Sequence, residues 1–277
     1  MSSGDSGLVV LLRTCGRCLL GLVVLGALGM PAQAQVRIEL LPDDSLRPSI
    51  WADGREAMTR VSVRSGHSPL EVTLAERVEL VALKTDAWAV SLAMGGSGDL
   101  AFQPEGGMRF PLSSFDGHVS FPLTIRYSNW THSLAWSHVS AHFADGIRDV
   151  LGYGQLNTEP YSREFLRWLS SWRVEKVRVY WGARLLFHSI PDAPPWGLQL
   201  GVQADELIGP VFAAVDVQSN EEHQWTPRIR TQLGVRFDHS AKQAVQLGVE
   251  LAQGPDEKGK WDGRDDPYLG VFLAIEP

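Results

Sequence analysis

The stretch that decides the fold is Val177-Arg178-Val179-Tyr180-Trp181-Gly182-Ala183-Arg184-Leu185-Leu186-Phe187. Its odd positions, Val177, Val179, Trp181, Ala183, Leu185 and Phe187, are all apolar. The interleaved row from Lys176 through Arg178, Gly182 and Arg184 to His188 is mostly polar or small. A period of two means a strand with unlike faces. The pattern recurs on both sides. Val119, Phe121, Leu123 and Ile125 alternate with Ser120, Thr124 and Arg126. Leu198, Leu200 and Val202 alternate with Gly197, Gln199 and Gly201. Val245, Leu247, Val249 and Leu251 alternate with Gln246, Gly248 and Glu250, and Leu269 to Ile275 follow the same rule.

A soluble sandwich also alternates. Two features favour a membrane. Strands of about 10 residues suit a tilted bilayer crossing, against about 5–6 in ordinary sheets. The connections also alternate: Gln253–Asp266 and Ala144–Pro160 are long, while Ser128–Trp130, a turn near Ser171–Arg173, and Asp238–Ala241 are short. Short turns at one end and long loops at the other mark a transmembrane barrel. Upstream strands are expected at Glu71–Leu83, Trp88–Met94 and Leu100–Leu112, with turns at Gly95–Asp99 and Ser113–Gly117. The sum is an all-β, antiparallel, up-and-down barrel of about 12 strands over residues 71–277. Gln35 to Leu70, with Pro42-Asp43-Asp44 and Arg47-Pro48, reads as a periplasmic or lumen-inserted extension.

Residues 1–34 read as a secretory signal. Arg13 and Arg17 precede the apolar run Leu19 to Gly29, and Ala32-Gln33-Ala34 is a small-x-small cleavage site. Both cysteines, Cys15 and Cys18, leave with it, so the mature chain has no disulfide and no thiolate metal site. The net charge of −7 argues against nucleic acid as a partner. Outer-membrane lipids, and barrel-assembly machinery during biogenesis, are the expected partners. Ten tryptophans against five tyrosines are an excess for a soluble chain. They fit aromatic girdles, with Trp88, Trp130, Trp172, Trp196 and Trp225 at strand ends or turns.

The densest polar cluster is His138-Val139-Ser140-Ala141-His142, followed across a long loop by Tyr161-Ser162-Arg163-Glu164. His138, Ser140 and His142 share one strand face, which continues as Trp136 and Leu134. Glu164 shares a face with Leu166 and Trp168. Those bulky residues turn the cluster toward lipid, where ionisable groups are functional suspects. Ser140 is the candidate nucleophile, His138 or His142 the base, and Glu164 the orienting acid. The competing reading is a rim network that fixes the loop, with Asp145, Arg148, Tyr161 and Arg163 in it. No cofactor is implied. Asp256, Glu257, Asp262, Asp265 and Asp266 crowd the last loop as a solvated acidic patch, with Ca²⁺ as the alternative occupant. Lys176, Arg178, Arg184, Arg228, Arg230 and Arg236 face the lumen with Asp216, Asp238 and Glu250. They pair off and plug it, or they line a small anion-selective pore.

The His-Val-Ser-Ala-His-Phe-Ala-Asp run from His138, the Tyr-Ser-Arg-Glu run from Tyr161, and Arg178-Val179-Tyr180-Trp181-Gly182 resemble a family of bacterial outer-membrane proteins catalogued as domain of unknown function 1207. Ile50-Trp51-Ala52-Asp53-Gly54-Arg55-Glu56 is similar to a segment near that family's start. The family pattern continues Gly-Asp-Glu where this chain has Ala144-Asp145-Gly146, so one acidic position is missing. The resemblance implies an outer-membrane barrel and no activity. More loosely, His138-x-Ser140 on a lipid-facing strand is similar to outer-membrane phospholipase A and the lipid A deacylases. That likeness implies acyl-ester hydrolysis by Ser140 and His138 with Glu164 third. An uncharacterised, envelope-associated barrel is the first expectation and the hydrolase the second.

Overall fold

A computed structural model describes residues 35–65, 69–103, 109–144, 159–238 and 243–276. The expected signal segment, Asp145 and Arg148 lie outside the described residues. Thirteen strands follow in order. They are β1 (Arg37–Leu40), β2 (Thr59–Arg64), β3 (Leu70–Lys84), β4 (Trp88–Phe102), β5 (Leu112–Tyr127), β6 (Trp130–Phe143) and β7 (Tyr161–Val174). Then come β8 (Val177–Ile190), β9 (Trp196–Ala204), β10 (Val211–Asn220), β11 (Pro227–Asp238), β12 (Ala244–Gln253) and β13 (Tyr268–Glu276). Each strand from β3 to β13 pairs antiparallel with the next, and β13 pairs back onto β2, with Val271 opposite Val63. The result is a closed 12-strand barrel, β2 to β13, with β1 beside β3.

The expected count of 12 arises from a different set of strands. Gly95–Asp99 and Ser113–Gly117, expected as turns, lie inside β4 and β5. Leu100–Leu112 is no single strand: Leu100 to Phe102 end β4 and Leu112 opens β5. The glycines there make room for neighbours. A Cβ on Gly98 would lie 2.9 Å from the Phe115 ring, and one on Gly95 would lie 3.0 Å from Ser120 Oγ. Glycine in a strand marks close approach as well as turns. Ser171–Arg173 is likewise strand, and the turn is Glu175–Lys176, with Glu175 at φ 51°. The missing strand is Thr59–Arg64, inside the segment expected to stay outside the wall. Its six residues are too short to show a convincing alternation.

Burial separates the two faces. Outward rows are apolar: Leu247, Val249 and Leu251 on β12, and Leu269, Val271, Leu273 and Ile275 on β13, are 42–61% exposed. In water each such side chain forgoes roughly 1.5–3 kcal/mol of burial, so the band calls for a hydrocarbon surround. Inward rows are polar and packed. Gln232, Gln246 and Asp216 are almost fully buried.

The lumen is filled from both ends. Leu46, Ile50, Trp51, Ala52 and Met58 are buried inside it. Trp51 packs edge-on against Phe212, ring centroids 5.2 Å apart, and Ile50 clusters with Leu169 and Tyr180. Glu56 takes a bidentate bond from Arg47 (2.5 and 2.8 Å) and another from Arg77 at 2.9 Å. From the long-loop end, residues 254–266 fold inward. Trp261 is 4% exposed against Phe143, and Gly259 N–H donates to Asp116 at 2.6 Å. Four of the spaces left between these segments and the wall are about 30–40 Å³ each, room for a water, and a larger one of about 960 Å³ lies between residues 41–49 and the wall at the short-turn end.

Candidate functional site

β6 climbs from the short turn at Ser128–Asn129 toward the long-loop end. Its odd residues Ser133, Ser137, Val139 and Ala141 are buried, and its even residues are not. His138, Ser140 and His142 therefore face outward, with Leu134 and Trp136 below them. β7 is in register, with His138 opposite Glu164 and Ser140 opposite Ser162. The two pairs form a two-by-two polar array on the outer wall. Trp136 lies under it, stacked on His138 with centroids 6.4 Å apart.

His138 Nδ1 is 3.5 Å from Glu164 Oε1. Both side chains are about one-third exposed. Among the described residues no hydrogen bond joins Ser140 Oγ to either imidazole. His142 is exposed and lies opposite Phe115 on β5, on the side away from Glu164. The structure thus brings His138, Ser140 and Glu164 to one patch and leaves His142 at its edge.

One member of the patch escapes the sequence pattern. Strict alternation puts His188 on the lumenal row with Arg184 and Leu186. A bulge changes this: Phe165 pairs with Leu186 and Glu164 with His188, so Phe187 is skipped. His188 is thereby rotated outward, its Nδ1 3.9 Å from Glu164 Oε2. Bulges re-aim side chains in this way, and nothing in the local sequence announces one. Glu164 is flanked by two imidazoles.

The structure does hold one serine–histidine hydrogen bond among the described residues, at a place that the sequence pattern does not announce. Ser170 Oγ lies 2.6 Å from His132 Nδ1, and Tyr127 OH lies 3.3 Å from His132 Nε2. It sits near the short-turn end among Trp130, Trp172 and Trp181. Ser170 is fully buried there. A sealed hydroxyl cannot reach an ester, so this contact braces the aromatic girdle.

Arg163 and Tyr161 face the lumen, both buried. Arg163 bonds the carbonyls of Ile190 and Pro191 at 3.0 and 3.1 Å and reaches Glu222 (3.3 Å) and Asp262 (3.5 Å). These two belong to the long-loop rim inside the barrel and not to the outward patch. Glu222, His223 and Asp262 come together as potential metal ligands. Arg184, at 2.5 Å, and Arg163 already neutralise Glu222, which disfavours a hard cation. Burial alone would lower the His223 pKa, but its hydrogen bond to Asp262 and the charges of Asp262 and Glu222 raise it. The expectation of a solvated acidic loop fails for Asp256 and Asp266, which are 2% and 0% exposed. Asp256 Oδ1 accepts the Lys258 N–H at 3.0 Å, and burial raises its pKa.

The charges expected in the lumen meet partners that are in part ionic and in part neutral. Glu250 meets Arg60 at 3.0 Å and Arg230 at 3.8 Å, and accepts from Gln232 and Tyr268. Arg236 meets Glu276 at 2.9 Å and Asp238 at 2.7 Å. Asp216 accepts from Tyr180, Gln199 and Gln218, and Arg178 donates to Ser171. Arg228 holds the inward loop through the carbonyls of Gly254 and Asp266. Lys176 departs from expectation: it is exposed at a short turn and pairs with Glu206.

Solved barrels resemble this one in fold. Outer membrane phospholipase A from Escherichia coli matches with a TM-score of 0.55 at 11% identity, covering 79% of this chain and 90% of its own. The Salmonella typhi outer membrane phospholipase, a dimer with bound calcium, matches with a TM-score of 0.54 at 12% identity, covering 79% and 90%. The KdgM porin matches at 0.48 and 11% identity, covering 80% and 98%. No curated protein matches the sequence. The family model described as "Protein of unknown function (DUF1207)" matches residues 114–275, more than half the chain and every member of the outward patch. The chain belongs to that family.

Proposed function

We propose that this barrel is exported by its N-terminal signal and sits in the outer membrane with its short turns toward the periplasm. There it hydrolyses acyl esters of membrane lipid at the outward patch. The observation that carries this reading is the side of the imidazole that meets the acid. His138 presents Nδ1 to Glu164, which leaves Nε2 to serve a neighbour on the same outward row, where Ser140 stands. The acid then fixes the tautomer and stabilises the imidazolium, as in hydrolytic triads. The lipid-facing position near the long loops suits a substrate held in the bilayer, a phospholipid or lipopolysaccharide.

In this scheme His138 Nε2 takes the Ser140 proton as Oγ adds to the acyl carbonyl carbon. The tetrahedral adduct collapses as the C–O bond to the lipid alcohol breaks, and His138 returns the proton to that alcohol. Water then cleaves the Ser140 acyl ester by the same route, releasing fatty acid. Ser162, opposite Ser140 on β7, is a cross-strand hydroxyl able to donate to the carbonyl oxygen. The Ser140–His138 hydrogen bond closes with substrate in place, as catalytic contacts often do.

The test is fatty-acid release from mixed phospholipid micelles by purified barrel. Ser140→Ala should abolish release and keep the heat-modifiable gel mobility of a folded barrel. Equal release by that variant would sink the proposal.

A further inference from the structure

The wall has a notch at its seam. β2 pairs with β3 only from Val63–Leu70 to Arg60–Thr73. Thr59 Oγ1 then binds both the N–H and the C=O of Ala75, at 3.1 and 3.0 Å. The chain next meets that edge at Leu41, whose N–H donates to Leu80 O at 3.1 Å. Between these ties residues 41–58 leave the wall and enter the lumen. β3 passes the gap with Glu76 and Val78 pointing out and Arg77 and Glu79 pointing in. All four line one cavity of about 960 Å³. A cavity lined from both faces of one strand runs past that strand's edge, so it opens sideways as well as to the short-turn end.

Glu76 supports this. The outward row of β3 reads Leu70, Val72, Leu74, Glu76, Val78, with one acid among apolar side chains. A carboxylate facing hydrocarbon is costly and marks a functional position. At the notch it meets an aqueous cavity instead. The lining carries eight carboxylate side chains against four arginines, and Lys84 and Lys176 pair with Asp44 and Glu206, which leaves an excess of two carboxylates and a field that attracts cations. Two inward groups are incompletely satisfied. Glu79 is 4% exposed and accepts Ser45 Oγ on Oε1 at 2.6 Å, while its Oε2 is buried without a partner. Arg77 keeps a buried Nε without a partner. The unpaired acceptor and donor on alternate residues are shut off from water behind the cavity surface, and they suit a head group with both signs of charge that parts the lining side chains to reach them.

We infer that the notch admits, sideways from the bilayer, a phospholipid whose head carries an ammonium beside its phosphate, with Glu76 and Glu79 taking the ammonium and Arg77 the phosphate. The inference rests on the membrane-spanning reading alone. It is separate from ester hydrolysis, which is placed at the other end of the wall.

The experiment is native mass spectrometry of barrel purified in detergent and titrated with phosphatidylethanolamine or phosphatidylglycerol. Soluble phosphoethanolamine is the competitor. The Ser140→Ala background is run in parallel, so that lipid loss by hydrolysis is not read as failure to bind. Phosphatidylethanolamine should be retained at least about tenfold over phosphatidylglycerol, and Glu76→Gln and Glu79→Gln should each remove most of that preference. Glu76 is exposed, so its replacement leaves folding intact even if loss of the buried Glu79 does not. Equal retention of the two lipids, or an unchanged preference in Glu76→Gln, overturns the proposal. So does displacement of the lipid by equimolar phosphoethanolamine, which would mark a soluble-amine site.

Discussion

Arg167 of β7 and Asp53 of the lumenal segment form an ion pair inside the barrel. Arg167 also donates to Gln199 Oε1 at 2.8 Å, and Asp53 Oδ1 accepts the Arg55 N–H (3.0 Å) and Gln218 Nε2 (3.2 Å). The pair fastens the filling segment to the wall.

Removing one partner strands the other charge. Arg167→Met should destabilise the barrel by about 3–5 kcal/mol, measured by urea unfolding in detergent. Arg167→Met with Asp53→Asn should recover part of that loss. Burial alone would raise the Asp53 pKa, but Arg167 and the Arg55 N–H hold it well below the ordinary range. A depressed folded pKa gives stability that is complete above the unfolded value and is lost as pH falls through the folded one. Acid unfolding of the wild type should therefore begin below about pH 4, and Asp53→Asn should flatten that limb.

Glu164→Gln should lower kcat about 10²- to 10⁴-fold with KM little changed, the usual worth of a general-base system. His188→Ala removes only the second imidazole on Glu164 and should cost much less. Steady-state fatty-acid release on mixed micelles separates the two. Equal losses would mean that the bulge-rotated histidine is the base.

His223 ties the short 3-10 turn Glu221–His223 to Asp262 on the inward loop, Nε2 to Oδ1 at 3.1 Å. Its folded pKa is raised. That contribution is whole below the unfolded value near 6.5 and disappears as pH rises through the folded one. Limited proteolysis of the 254–266 loop should speed up from pH 6 to pH 9, and His223→Gln should remove the dependence.

The filled lumen should pass no steady ionic current. Replacing Leu46–Ala57 with a short Gly-Ser bridge removes the Trp51 and Ile50 contacts and the Arg47–Glu56–Arg77 cluster. Planar-bilayer recordings should then show stepwise conductance that the wild type lacks.

The wall was legible where outward and inward chemistry differ at every position, as on β8 and β12. It was obscured where glycine stands for close approach, as at Gly95 and Gly98, and where a strand is too short to show a period, as at Thr59–Arg64. The outward patch followed from Trp136 and Trp168, whose size assigns the lipid face. His188 did not, because a bulge alters parity without a residue signature. The burial of Asp256 and Asp266 depends on Arg64 and Arg228, distant in sequence, so their charge alone suggested solvent.

The closing strand β2 has a consequence for how the molecule is made. The segment that fills the lumen comes immediately before it in the chain, and its partner β13 is the last strand. Once Val63 and Val271 are zipped together, residues 41–58 can enter only by the notch or by the short-turn mouth of the closed barrel. Filling before the seam shuts avoids both constrictions, as a vessel is packed more easily before its last stave is set.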